Sequence, residues 1–387
     1  MWSLELFAWQ KGYLKEGQKA IDFEAIEQNQ QPKGGIQMKK NTLLRLLGSL
    51  CLVLIMMVST SMTVHAQQPI KLRCYYHASP TGGQSYFYQD WIKKVKEATQ
   101  GRLDIAFYPG ATLGKPTEAY EMVKSGVVDM ACVIIGFFPG QFPLSDVVQL
   151  PFLNLKSAVV ASRVYWGLYE KFPEFKTEFA GVKVLMLYCD APTPIGTNKP
   201  IRTMEDLKGL KIRSLTGSPT EMMKTLGGTP VLMAPGDIYT SMERKVLDGW
   251  MWSWEGCFGA KLYEVTDYYN PANTYQPALS FLMNPAAWNK LPPDIQKIMG
   301  TYIGAPGTEF FGKEFDRYNE MDMAKVKGLK GRNFIDLSPE EVKRWKETCK
   351  PIWDKWVAGV EAKGLPGKAI LQEAQNLSAK FAAEYKK

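Results

Sequence analysis

From residue 70 onward the hydrophobic pattern keeps switching between a period of two and a period of 3.6, and that alternation limits the fold more than any other feature. Residues 70–76 (IKLRCYY) predict a strand. Residues 85–99 predict a helix, with Phe87, Trp91, Ile92 and Val95 on one face. Residues 103–108 are a second strand that ends at Pro109-Gly110, and 117–125 a helix stopped by Gly126. The unbroken apolar run 128–135 suits a buried parallel strand. This β-α-β-α-β order predicts a parallel sheet covered by helices. A helix at 158–170 and a strand at 182–188 extend it.

Ala191-Pro192-Thr193-Pro194 then interrupts the pattern, where prolines stiffen the chain and bar regular pairing. The alternation restarts beyond it. Thr203 with Asp206 resembles a cap, and Gly209 ends the short helix it starts. Strands are expected at 211–214, 229–233 and 247–252, with helices at 218–226 and 237–245. The remainder reads as helical, one long stretch at 294–327 and another from Ser338 to residue 362. The expected architecture is therefore α/β, two domains with a central cleft, linked by crossing strands and a long spanning helix. Residues 67–190 with 279–318 are assigned to one domain, and 191–278 with 319–387 to the other.

The segment ahead of this pattern has another use. Met38-Lys39-Lys40 opens a basic stretch, residues 46–58 (LLGSLCLVLIMMV) are apolar, and Val64-His65-Ala66 supplies small residues before Gln67. These are the parts of a secretory signal peptide, and the apolar run falls short of the ~20 residues that span a bilayer. Leu50 before Cys51 is too large for a lipoprotein signal. Cleavage is expected after Ala66, in a periplasmic protein, with residues 1–37 a mis-assigned extension.

Composition excludes several functions. The net charge of +8 is scattered, without the basic stripe of a nucleic-acid binder. Of two histidines, His65 leaves with the signal, so a catalytic histidine could only be His77 and a histidine-rich metal site is ruled out. Cys74, Cys132, Cys189, Cys257 and Cys349 form no CxxC pair and are expected to be mostly buried thiols. No GxGxxG, GxSxG or HExxH occurs; the sequence from Gly307 to Lys313 imitates a phosphate loop inside a helical pattern, with Glu314 where Ser or Thr is required. The carboxylates read as solvated faces. No catalytic residue, metal or cofactor is expected.

Two stretches suit a binding site. Arg213 closes a short strand, where α/β folds bind ligands, and its planar fork can grip a carboxylate through two hydrogen bonds. An arginine there also suits a surface ion pair. Trp250, Trp252 and Trp254 share one face if they lie on a strand, which suits either an aromatic wall or a core. His77, Phe138 and Tyr239 complete the candidate set.

These motifs resemble one family. Phe107-Tyr108-Pro109-Gly110 with Leu113-Gly114, Glu118 and Ser125-Gly126-Val127-Val128-Asp129-Met130 are similar to the first-domain signature of the TRAP-transporter solute-binding proteins of the dicarboxylate-binding type. Gln141-Phe142-Pro143-Leu144, Leu150-Pro151-Phe152-Leu153, Asp206-Leu207-Lys208-Gly209-Leu210-Lys211-Ile212-Arg213, Asp248-Gly249 and Asn284 through Trp288 to Leu291-Pro292 extend the match. The resemblance implies a periplasmic receptor, a monomer, that closes by a hinge on a small organic acid held by Arg213. It then passes the acid to a TRAP-type permease. Two departures bear on the ligand: Pro192 and Thr193 stand near where many relatives have a second arginine, and Trp252 stands where many have a polar side chain. Both point away from C4-dicarboxylates and sialic acid, toward a monocarboxylate with an apolar or aromatic body. The competing readings are a binding module that serves a sensor and a periplasmic enzyme.

Overall fold

The computed structural model describes residues 68–385. The signal segment, its cleavage point and residues 1–37 lie outside them. Strand β1 (Ile70–Tyr75) leads to helix α1 (Gly83–Ala98), β2 (Leu103–Tyr108), α2 (Ala119–Ser125), β3 (Met130–Ile134), α3 (Ala158–Lys171) and β4 (Lys183–Cys189). After the crossing come β5 (Ile195–Thr197), β6 (Lys211–Ser214), α4 (Ser218–Thr225), β7 (Thr229–Leu232), β8 (Gly249–Met251), α5 (Trp254–Gly259) and β9 (Tyr268–Asn270). The chain returns through β10 (Ala278–Met283) and α6 (Gly304–Lys327), and closes with β11 (Asn333–Phe334), α7 (Pro339–Cys349), α8 (Pro351–Glu361) and α9 (Gly367–Glu384).

The strands form two sheets, ordered β2-β1-β3-β10-β4 and β11-β9-β5-β8-β6-β7. The first is not wholly parallel, as the alternation had predicted. Strand β10 enters antiparallel between β3 and β4, because the chain comes back from the second domain in the opposite direction. The crossing segments also pair more than their prolines suggest. Asp190 N–H donates to Pro277 O at 2.9 Å, Thr193 N–H to Tyr275 O at 3.0 Å and Thr274 N–H to Thr193 O at 3.2 Å. Pro192 and Pro194 lack a donor, but Thr193 between them has one.

Helix α6 ties the two domains together. Its Asp316 accepts from the N–H groups of Ala158 and Val159 at 2.7 and 3.1 Å, capping α3 beside the first sheet. One turn on, Asn319 Oδ1 accepts from Trp254 N–H at 2.8 Å, capping α5 beside the second. Gly312 permits this fit, since a Cβ there would stand 2.6 Å from Val159 Cα.

Two expected long helices are each broken. The stretch 294–327 is Pro293–Gly300 followed by α6. Gly304 adopts φ +67°, and Pro306, which has no N–H, must sit in the first turn of the helix that restarts there. Pro351 divides α7 from α8 for the same reason. Ser338 caps α7 as expected, its Oγ accepting from Glu341 N–H at 3.2 Å.

The first domain's core is aromatic: Trp91 and Tyr88 meet Phe281 and Phe311 edge-on, with centroids 4.8–6.4 Å apart. All five described cysteines are buried and unpaired, and burial pushes their thiols up. Not all carboxylates are solvated, as the sequence had suggested. Asp190, Glu255, Glu178 and Asp316 are buried, and each takes hydrogen bonds from main-chain N–H groups. Among the described residues no helix is long and apolar enough to cross a membrane.

Candidate functional site

Strands β7, β6 and β8 run parallel and end together, and Arg213 lies between Val231 and Trp250 in their register. Its guanidinium reaches past the neighbouring strand ends. Nε donates to Met233 O and Nη1 to Met251 O, both at 3.2 Å. These bonds fix the plane of the fork and leave Nη2 without a partner among the described residues. Arg213 is 2% exposed and forms no ion pair among the described residues. Burial pulls the guanidinium below its ordinary range, opposed by Tyr275 and Asp190, yet arginine stays charged in proteins. A buried, unpaired, oriented cation is a site for an anion.

Trp252 is the first residue after β8. The Arg213 guanidinium carbon is 5.4 Å from its ring centroid. The indole lies against Gly256, where a Cβ would meet ring atoms at 2.3 Å. Asp190, at the end of β4, is 2% exposed and accepts from Ala191 N–H at 2.7 Å and from Ser253 Oγ at 3.1 Å. Burial lifts its carboxyl to about 7, against these bonds, a further bond from Trp252 and the Arg213 charge. His77 follows the end of β1, its ring 4.7 Å from that of Tyr76. Burial, then Arg213, pushes the imidazole down to about 3, so it is neutral. Glu255, on α5, accepts from Gln84 N–H at 2.9 Å and thereby caps α1 of the other domain. Burial, then Asp190, lifts it to about 8.

These side chains line two neighbouring spaces. An inner chamber of about 10 Å³ is walled by Arg213, Asp190, His77, Gln84, Trp252, Pro235 and the apolar Ile134, Leu215, Pro277 and Leu279. A wide cleft of about 960 Å³ lies outside it. His77, Gln84, Pro235 and Trp252 line both and form the boundary. The larger space does not include Arg213, and the chamber that does has room for at most about one water. A ligand that reaches Arg213 must therefore part the boundary.

The other sequence candidates are placed apart. Strand β8 stops at Met251, so Trp250, Trp252 and Trp254 do not alternate along one strand. Trp250 is fully buried over Gly196, its Nε1–H donating to Thr266 Oγ1 at 2.9 Å. Trp254 packs on Tyr269 and Phe334. Both belong to the core of the second domain. Phe138 lies in a separate groove, packed on Tyr120 and Phe142. Tyr239 does line the outer cleft, and its hydroxyl donates to Glu264 at 2.9 Å. Sequence reasoning missed Asp190, Gln84 and Glu255; the one available signal was their position directly beside a strand end or helix start.

Residues 77–359 match the family described as bacterial extracellular solute-binding protein, family 7. The C4-dicarboxylate-binding periplasmic protein DctP of Rhodobacter capsulatus is 24% identical over 321 residues, covering 82% of this chain and 95% of that protein. A TRAP solute-binding protein from Rhodoferax ferrireducens T118, solved with copurified benzoate, is 28% identical with a TM-score of 0.78, covering 81% of this chain and 99% of that one. Another, from an unidentified microbe of a marine metagenome and solved with 3-hydroxybenzoate, is 26% identical with a TM-score of 0.77, covering 81% and 99%. With its two α/β domains meeting at a cleft and a lone buried guanidinium at the strand ends, this chain belongs to family 7 of the bacterial extracellular solute-binding proteins, the solute receptors of TRAP transporters.

Proposed function

We propose that this receptor captures a monocarboxylate with an aromatic or apolar body and hands it to a TRAP-type permease. The observation that carries the reading is Arg213: one buried cation, free of any ion pair among the described residues, beside the face of Trp252. One cation suits one carboxylate. A second carboxylate would enter a space already bordered by Asp190 and Glu255, carboxyls that burial lifts to about 7 and 8, and its charge would push them higher still. The apolar members of the chamber wall favour a body without further charge. Relatives solved with benzoate and 3-hydroxybenzoate support the same class.

The rest of the reading concerns the molecule in the cell. It is exported, cut after Ala66 and works as a periplasmic monomer. The two α/β domains move as separate bodies about the crossing segments.

A thermal-shift screen of organic acids tests the ligand class. Benzoate-like acids should raise the melting temperature, since ligand at 100 times its Kd stabilises by about 2.7 kcal/mol. Stabilisation by C4-dicarboxylates alone would overturn the reading.

A further inference from the structure

A residue that borders the inner chamber carries a polar atom without a partner. His77 is 5% exposed, and its Nδ1 has no hydrogen-bond partner among the described residues. A buried polar atom left unmatched is costly, and in native proteins it is normally bonded. The residue borders both the chamber and the outer cleft. Its ring is held against Tyr76, whose hydroxyl proton is committed to Gln84 Oε1 and is not donated to Nδ1.

We propose that His77 reads a hydroxyl group on the ligand, so that the preferred solute is a hydroxylated aromatic monocarboxylate. This rests on the reading of Arg213 and Trp252 given above and narrows it. A neutral imidazole nitrogen is a donor in one tautomer and an acceptor in the other, and a hydroxyl, being both, satisfies either. A second carboxylate can only accept, and it would crowd Asp190. An ammonium group would share the chamber with the Arg213 charge. An apolar substituent would leave Nδ1 as it is now. Arg213 and His77 border the same small space, so the carboxylate and the hydroxyl belong on one compact molecule.

Calorimetry with two matched pairs tests this: benzoate against 3-hydroxybenzoate, and phenylacetate against mandelate. The protein should bind the hydroxylated member of at least one pair roughly 10- to 100-fold more tightly, the range expected for one buried hydrogen bond. In His77→Phe that ratio should collapse toward one. His77→Asn, with a polar atom near the position of Nδ1, should keep part of it. No preference in the wild type, or a ratio unchanged in His77→Phe, overturns the proposal. If His77→Phe does not fold, the wild-type ratio and its decline in His77→Asn decide. If none of the four acids binds while a non-aromatic acid does, the aromatic reading itself has failed, an outcome distinct from binding without preference.

Discussion

The Arg213 guanidinium carbon stands 5.4 Å from the ring centroid of Trp252, and no carboxylate completes an ion pair with it among the described residues. The pair joins the two parts of the expected ligand: the cation takes the carboxylate, and the indole faces what the carboxylate is attached to. Removing the guanidinium leaves the ligand's charge buried without a partner, at roughly 3–5 kcal/mol. Arg213→Ala should therefore weaken binding by about 100- to 1,000-fold or more. Arg213→Lys should also bind poorly, because an ammonium cannot bond Met233 O and Met251 O and still present a fork. Wild-type affinity in either variant, measured by calorimetry, would refute the assignment.

Trp250 and Trp252 should separate cleanly by mutation. Trp250 is a core residue, so Trp250→Ala should cost about 3–5 kcal/mol of stability. In Trp252→Ala the main loss should be binding, seen as a smaller ligand-induced rise in melting temperature than the wild type shows. A large fall for Trp252→Ala without ligand, combined with a normal ligand response, would make it another core residue.

Gly256 supports Trp252 from beneath. A methyl group there would overlap the indole, with ring atoms at 2.3 Å. Gly256→Ala should move the ring, weaken binding about tenfold, and cost about 1–3 kcal/mol in overpacking. Unchanged ligand affinity in this variant would show that the position of the indole is unimportant.

Stability should fall as pH rises from 6.5 to 8. Burial lifts Asp190 and Glu178 to about 7 and Glu255 to about 8. In this window the folded carboxyls hold protons that the unfolded chain has released, so each group lowers stability with pH by at most about 1.4 kcal/mol per unit. His77 acts in the opposite sense, but only below its unfolded value of 6.5. Chemical denaturation at pH 6.5 and 8 checks this. Glu255→Gln should flatten the upper part of the slope, and a level wild-type profile would contradict the account.

The mature protein should begin at Gln67. Intact-mass analysis of the periplasmic fraction should find a chain that starts at Gln67. A stable species that keeps the apolar run 46–58 would count against export with cleavage.

Much of this molecule is legible in its sequence. The two periods of apolar residues placed most strands and helices, because burial on one face is a local, repeating requirement. Arg213 could be read as a ligand group because strand ends in α/β folds converge on clefts. Ser338 and Gly126 marked helix ends through local hydrogen bonding and a left-handed φ of 81°. Tertiary structure alone decided the rest. Which tryptophan lines the cleft depended on β8 stopping at Met251: all three are buried in the second domain's core, and of the three Trp252 alone also borders the cleft. The entry of β10 between β3 and β4 is a pairing between distant segments that no local pattern encodes. Asp190 and Glu255 look like any surface acids in the sequence. Their burial, and the raised carboxyls that follow from it, arise only where both domains pack against them, because desolvation depends on everything nearby in space.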